Sequence, residues 1–339
     1  MQKYRMVRKQ VQAQIAALSE EERNLVDCQF HVSPLATIEE LVTTHCPTYV
    51  DRYLCGEVTA EELRNIGFPW STRHVNRSLS SVGGTIAAAQ TVCHALDQQR
   101  LQNEHNETIV WGAHIAGGTH HAFYDYGEGF CVFSDIAVAA NVMLRRFPQT
   151  ICRILIIDLD VHQGNGNARL FQGNDTVVTC SMHCESNYFS PKEKSDLDIE
   201  LPAGCTDGTY LQTLRHWLKQ LLGNSKNDEM KFDLVFFQAG VDTIEEDRLG
   251  HMSLSLNGIQ RRNKLVFDFV RQHGAGLVIT MGGGYPRAKL KSILDAHVSV
   301  YFGAHQFLSS VSTPTLQESV VVGQSSQFIA SDRFTTDYR

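Results

Sequence analysis

The stretch at residues 151–167 (ICRILIIDLDVHQGNGN) constrains this chain more than any other. Residues 151–157 are apolar with little polar alternation beyond Arg153, the pattern of a strand covered on both faces, as in a parallel α/β sheet. The run ends in Asp158, Asp160 and His162 and then a glycine-punctuated turn. In extended backbone these three sit at i, i+2 and i+4 and point to one face. Ligands of such sheets bind beyond the carboxyl ends of the strands. Burying an isolated carboxylate costs several kcal/mol, so a metal cation explains the group economically. The plainer alternative is an N-capping Asp and a surface His.

The same device, a buried strand with a polar tip, recurs along the chain. Residues 108–115 form a strand that runs into Gly117, Gly118, His120 and His121; residues 176–183 form another; residues 232–240 lead to Asp242, and residues 276–285 end at Tyr285. Helices are predicted between them: 1–26, from Thr37 and from Thr59 with capping boxes, 81–102 after Gly83 and Gly84, 134–146, 209–222, 257–273 and up to about 296. Residues 184–206 read as a long polar loop. This alternation calls for a single α/β domain, a mostly parallel central sheet with helices on both faces and the active site at the C-terminal strand ends. We assign 1–307 to that domain. From about 308 the Ser-, Thr- and Gln-rich sequence loses periodicity and is expected to be a disordered tail, 308–339.

Four strand tips thus carry chemistry to one sheet end. Asp160, His162 and Asp242 would make a three-ligand site with open positions, as catalytic zinc has. Zinc lowers the pKa of bound water to about 7 and polarises a carbonyl. The tandem histidines supply general acid and base, and the Tyr285 hydroxyl can donate to a developing oxyanion. Together these describe a metal-assisted hydrolase of an amide or ester. Singly each is weak: a His pair in a glycine-rich loop can be structural, Gly-Gly-Gly-Tyr can be a turn, and Asp242 can be a helix cap.

Charge and cysteine content bound the partners. With 30 Lys and Arg against 37 Asp and Glu the net charge is −7, which argues against direct nucleic-acid or anionic-membrane binding and tolerates basic partners such as Lys-rich tails. No apolar run approaches the roughly 20 residues of a membrane span. Nine cysteines lack a CxxC pair, and several, Cys93, Cys131, Cys152 and Cys180, lie in apolar surroundings typical of buried free thiols, which suggests a reducing compartment. The opening, with Lys3, Arg5, Arg8 and Lys9 and no acid, is compatible with an organellar transit peptide, but we read it as the first amphipathic helix. A cytoplasmic or nuclear location is expected.

These residues carry a resemblance. Residues 117–122 (GGTHHA), 129–135 (GFCVFSD), 158–166 (DLDVHQGNG), 239–250 (AGVDTIEEDRLG) and 282–285 (GGGY) resemble the zinc-dependent histone deacetylase family, most closely its class IV branch and bacterial relatives. The likeness spans roughly residues 3–305. It implies one zinc ion per chain on Asp160, His162 and Asp242, with Tyr285 polarising the scissile carbonyl. His121 would be the general base and acid, and His120 its electrostatic partner, held by Asp158. It further implies a structural potassium site at Asp158, Asp160, His162, Ser181 and Met182. Gly129, Phe130 and Phe189 would line the tunnel around an acyl-lysine stem, with Leu249 at the gatekeeper position, where a polyamine-specific relative would carry a carboxylate. Acylated lysines of proteins, histone tails among them, and corepressor complexes follow as partners.

Two departures from the family pattern stand out. Asn165 replaces the Asp of class I members, which changes the setting of His121. The family's first strand and His-containing loop are expected to be missing, since the chain starts directly at Met1-Gln2-Lys3-Tyr4-Arg5. Two rival functions remain in view. An arginase-like dimanganese hydrolase would want a second Asp after Asp242, where Thr243 and Ile244 stand. A non-catalytic acyl-lysine reader or corepressor scaffold would keep the pocket without turnover. A deacetylase of small acylated amines is a further alternative.

Overall fold

The computed structural model describes residues 2–20, 23, 27–102, 109–188, 190–222, 231–287, 290–309 and 318–323. Eight strands form one sheet, and every pairing in it is parallel. In chain order they are β1 (Asp27–Val32), β2 (Trp111–His114), β3 (Ile154–Asp158), β4 (Val177–Cys184), β5 (Leu197–Leu201), β6 (Leu234–Gln238), β7 (Gly276–Thr280) and β8 (Glu318–Gly323). Their spatial order is β1-β8-β2-β7-β6-β3-β4-β5. The four strands whose tips carry the chemistry, β2, β7, β6 and β3, are therefore neighbours at the centre.

Alternate residues of the central strands feed two separate cores, as a sheet covered on both faces requires. Leu155 and Ile157 of β3, with Val235 and Phe237 of β6, face one core; Ile154 and Ile156, with Leu234 and Phe236, face the other. The first core is closed by helices α1 (Gln2–Ala16), α8 (Asp207–Leu221), α9 (Leu256–His273) and α10 (Leu290–Ser309). The second lies under α3 (Pro47–Cys55), α5 (Thr72–Gln102) and α6 (Asp135–Arg146). Two short helices, α2 (Ile38–Leu41) and α4 (Ala60–Ile66), begin with the expected capping boxes at Thr37 and Thr59, and α7 (Asn165–Leu170) follows β3. Each fully buried Leu, Ile or Phe contributes about 1.5–3 kcal/mol, so the central strands dominate the stability of the fold.

The structure corrects several expectations. The long helix α5 starts at Thr72, so Gly83 and Gly84 lie within it. They serve close packing: a Cβ on Gly84 would lie 2.3 Å from His114 Nε2, and one on Gly83 2.4 Å from the Pro34 carbonyl oxygen. The polar loop 184–206 contains β5, whose Leu197-Asp198-Ile199-Glu200-Leu201 alternates in burial as an edge strand does. Helix α10 runs to Ser309 rather than 296. The structure buries Cys93, Cys131 and Cys180 but leaves Cys152 exposed. The expected tail does not hold over residues 318–323, which form β8 between β1 and β2; residues 310–317 and 324–339 lie outside the described residues. The sheet also extends beyond β2 through β8 to β1, an edge strand the reading from sequence did not anticipate.

Candidate metal centre and its surroundings

Strand β3 ends at Asp158, and the chain turns at once, so Asp160 and His162 sit in a loop above the sheet rather than in a continued strand. The neighbouring strand β6 delivers Asp242 four residues past its end. Asp160, His162 and Asp242 each offer a ligand atom, all within 4.8 Å of one another. His162 Nδ1 lies 3.0 Å from Asp160 Oδ1 and 3.3 Å from Asp242 Oδ2. Both carboxylates are buried. Asp160 Oδ2 accepts the Gly283 N–H at 2.8 Å and the Gln238 amide at 3.0 Å, and Asp242 Oδ1 accepts the Val161 N–H at 3.0 Å.

Asp242 Oδ2 is buried and, among the described residues, meets no donor in good hydrogen-bond geometry, with His162 Nδ1 3.3 Å away. A buried carboxylate oxygen left this way costs several kcal/mol unless a cation takes it. Two carboxylates and one imidazole suit a divalent ion, and three protein donors leave coordination positions open. Backbone must come very close to build it: a Cβ on Gly240 would lie 2.2 Å from Asp160 Oδ2, and one on Gly283 2.0 Å from Asp242 Oδ2. Burial by itself would lower the His162 pKa, but its contacts with Asp160 and Asp242 outweigh it and raise it to about 10. Burial and then the Asp160 charge raise Asp242 to about 7. Asp160 is held well below the carboxylate range: burial would raise it, and His120 and His162 prevail.

From β2 the chain enters the glycine loop carrying the two histidines. Asp135, the first residue of α6, anchors that loop by accepting the N–H groups of Gly118 and Thr119 and the hydroxyls of Thr119 and Thr85. Gly117 and Gly118 have φ of 73° and 78°, a conformation open to glycine. The imidazoles lie 4.0 Å apart and differ in kind. His120 Nδ1 is 2.7 Å from Asp158 Oδ2, and although burial lowers its pKa, Asp158 and Asp160 raise it to about 9. His121 Nδ1 is 2.7 Å from Asn165 Oδ1; burial and then the charges of His120 and His162 push its pKa well down. The two rings are thus pushed in opposite directions, His120 toward its charged form by Asp158 and Asp160 and His121 toward its neutral form by burial.

Tyr285 follows β7 on the Gly282-Gly283-Gly284 turn. Asp247 fixes that turn through the Tyr285 N–H and its own loop through the N–H groups of Leu249 and Gly250. Burial raises the Tyr285 phenol well above its usual pKa, so it stays a hydrogen-bond donor. Lys3 lies over the Tyr285 ring at 5.6 Å and donates to the Gly284 carbonyl. A cavity of about 360 Å³ shares Gly284 and Tyr285 with the site and is otherwise walled by Lys3, Tyr4, Phe68 and Arg77, among others; the three metal-ligand candidates do not line it.

Of the tunnel candidates, Phe130 is exposed, packs on Phe68 at 5.2 Å and lies 6.1 Å from the Tyr285 ring. A Cβ on Gly129 would meet the Tyr188 hydroxyl at 2.6 Å and His121 Cδ2 at 2.7 Å. Leu249 is half-buried, and its carbonyl accepts from the Asn187 amide. Phe189 lies outside the described residues. Of the potassium candidates, Asp158 pairs with Ser181 across β3 and β4, the Ser181 hydroxyl lies 3.0 Å from His183 Nδ1, and Met182 is buried in the first core. The reading from sequence missed Tyr188, stacked on His121 at 4.3 Å and 12°, the fully buried Gln238, and Glu128. It also missed Arg262, fully buried on α9, whose guanidinium donates to the carbonyls of Leu159, Ala239 and Gly240.

A three-ligand metal centre with paired imidazoles and a tyrosine, set at the carboxyl ends of a parallel sheet, defines a metal-dependent hydrolase of the α/β class. The histone deacetylase domain model matches residues 4–301, and the chain belongs to the histone deacetylase family, a family of hydrolases. It is 44% identical over 247 residues to an uncharacterised protein of Picosynechococcus sp., covering 73% of this chain and 75% of that one. It is 32% identical to histone deacetylase 2 of Arabidopsis thaliana, covering 63% of this chain and 51% of that one, so it spans about half the length of that relative. The acetoin utilization protein AcuC of Bacillus subtilis is 28% identical over 74% of this chain and 65% of that one. The crystal structure of the HDA15 HD domain superposes with a TM-score of 0.61 at 20% identity, over 83% of this chain and 77% of that one, which supports the fold. No helix among the described residues is long and apolar enough to cross a membrane.

Proposed function

We propose that the chain hydrolyses N-acyl-lysine amides of proteins, with one zinc ion held by Asp160, His162 and Asp242. The observation that carries this reading is the adjacent pair of imidazoles beside that triad, 4.0 Å apart, one with Nδ1 2.7 Å from the Asp158 carboxylate and the other with Nδ1 2.7 Å from the Asn165 amide oxygen. Titratable neighbours whose environments differ in this way take different roles in acid–base catalysis. Zinc, when bound, supplies Lewis-acid polarisation of the scissile carbonyl and makes water a better nucleophile at neutral pH.

The chain's own residues do the rest. His121, neutral and with Nδ1 engaged by Asn165, offers Nε2 to take a proton from water as the oxygen adds to the carbonyl carbon. The same nitrogen returns the proton to the departing ε-amine, leaving a carboxylate and a free lysine. His120, held by Asp158 and pushed toward its charged form, is placed to steady the negative charge that develops nearby. The Tyr285 hydroxyl donates to the carbonyl oxygen as charge gathers there. Gly129, Phe130, Phe189 and Leu249 are proposed to line the approach of the lysine stem. A structural potassium ion near Asp158 and Ser181, histone tails and corepressor complexes as partners, a place in the class IV branch and a cytoplasmic or nuclear location belong to the same reading.

The test is release of free amine, read by mass, from an acetyl-lysine peptide, a long-chain acyl-lysine peptide and acetylspermidine by the zinc-loaded protein. Turnover of a peptide is expected. Tyr285→Phe should lower kcat by about 10²-fold with zinc still bound. If wild-type protein with stoichiometric zinc turns over none of the three, the reading fails.

A further inference from the structure

Glu128 has no role in the steps above, yet its nearly buried carboxylate lies two residues from Phe130 and gathers three donors. Its Oε1 accepts from Asn165 Nδ2 at 2.7 Å and from the Tyr188 hydroxyl at 3.2 Å; its Oε2 accepts from the Ser190 hydroxyl at 3.2 Å. A carboxylate only accepts, so the end of the Asn165 amide that faces it must be the NH2. The amide oxygen then faces the other way, where it meets the Gly166 N–H at 3.0 Å and His121 Nδ1 at 2.7 Å. An amide oxygen also only accepts, so Nδ1 of a neutral His121 must carry the hydrogen, and Nε2 keeps the lone pair.

The geometry points to Glu128 as a positioning residue: it fixes the direction of the Asn165 amide and, through it, the tautomer of His121. An aspartate at 165 has no amide to orient and would select that tautomer unaided. An asparagine can turn by 180° and present its NH2 to Nδ1, which leaves the hydrogen on Nε2 and removes the base. The Gly166 N–H opposes that turn from one side and Glu128 from the other. This role rests on His121 being the base proposed above; the hydrogen-bond chain itself does not.

The experiment is imidazole nitrogen NMR on the zinc-loaded full-length chain labelled with 15N histidine, with His121 assigned by its loss in His121→Ala. Wild type should show His121 in the Nδ1–H form. Glu128→Met, of similar length but with no acceptor, should bring in the Nε2–H form, and kcat should fall about 10–100-fold at nearly unchanged KM. Adding Asn165→Asp should restore the Nδ1–H form. A His121 that stays wholly Nδ1–H in Glu128→Met, or an Asn165→Asp substitution that fails to restore it, overturns the role. Should Glu128→Met fail to fold, Glu128→Leu, which likewise offers no acceptor to the Asn165 amide, decides: an Nε2–H share supports the role and none overturns it. The tautomer is read without turnover, so a wild type that cleaves no substrate defeats the deacylase reading and leaves this result to stand by itself.

Discussion

His162 Nδ1 lies 3.0 Å from Asp160 and 3.3 Å from Asp242, two carboxylates that favour its proton, so a zinc ion held there as proposed would compete with protons. The raised pKa values of His162, about 10, and His120, about 9, give the zinc-free fold stability that is complete below pH 6.5 and lost as pH rises through those values. Asp242, raised from 3.8 to about 7, acts in the same direction from pH 4 to 7. The zinc-free protein should therefore weaken as pH rises over the range in which zinc binds better. We expect the gain in Tm on adding zinc to grow between pH 6 and pH 9, with protons released on binding; a gain that is flat or shrinks over that range refutes the competition. Gly283→Ala tests the cage itself. Its Cβ would meet carboxylate oxygens of both Asp242 and Asp160, at 2.0 and 2.8 Å, so zinc affinity should fall by more than tenfold by competition against a chelator, whereas unchanged affinity would show that the turn can move aside.

Helix α5 lies against β2 through glycine, and that contact sets the height of the histidine loop. Gly84→Ala drives a methyl group into His114, itself hydrogen-bonded to Ser33 and Thr85. Overpacking of this kind costs about 1–3 kcal/mol, to be read from the denaturant midpoint; a neutral result would mean that His114 has room to turn. The same pair shows why some elements were legible in the sequence and others were not. Gly83 and Gly84 suggested a helix start, because their partners, Pro34 and His114, are distant in the chain and no local rule reveals them. The gathering of Asp160, His162 and Asp242, and of His120 and His121, at one sheet end was legible because each follows a buried strand and so carries its own context. Glu128, Tyr188 and Gln238 act through residues 37 to 78 positions away, and only the folded sheet brings these together. Strand β5 was hidden within a polar stretch because an edge strand buries only alternate residues.

For the molecule as a whole, the sheet order places β8, from the far end of the chain, between β1 and β2. A chain ending at residue 309 would leave one ladder edge of β2 without its partner, and unpaired edges invite association. Such a truncation should lower Tm and raise light scattering; a monomer with unchanged Tm would show that β8 contributes nothing to the sheet. The candidate metal ligands follow β3 and β6, on loops that Arg262 ties together through the carbonyls of Leu159, Ala239 and Gly240. The tie between those loops is thus a buried guanidinium that belongs to the chain itself. An arginine stays charged and cannot be chelated away, so stripping the site of its metal should leave this one tie between the two loops in place.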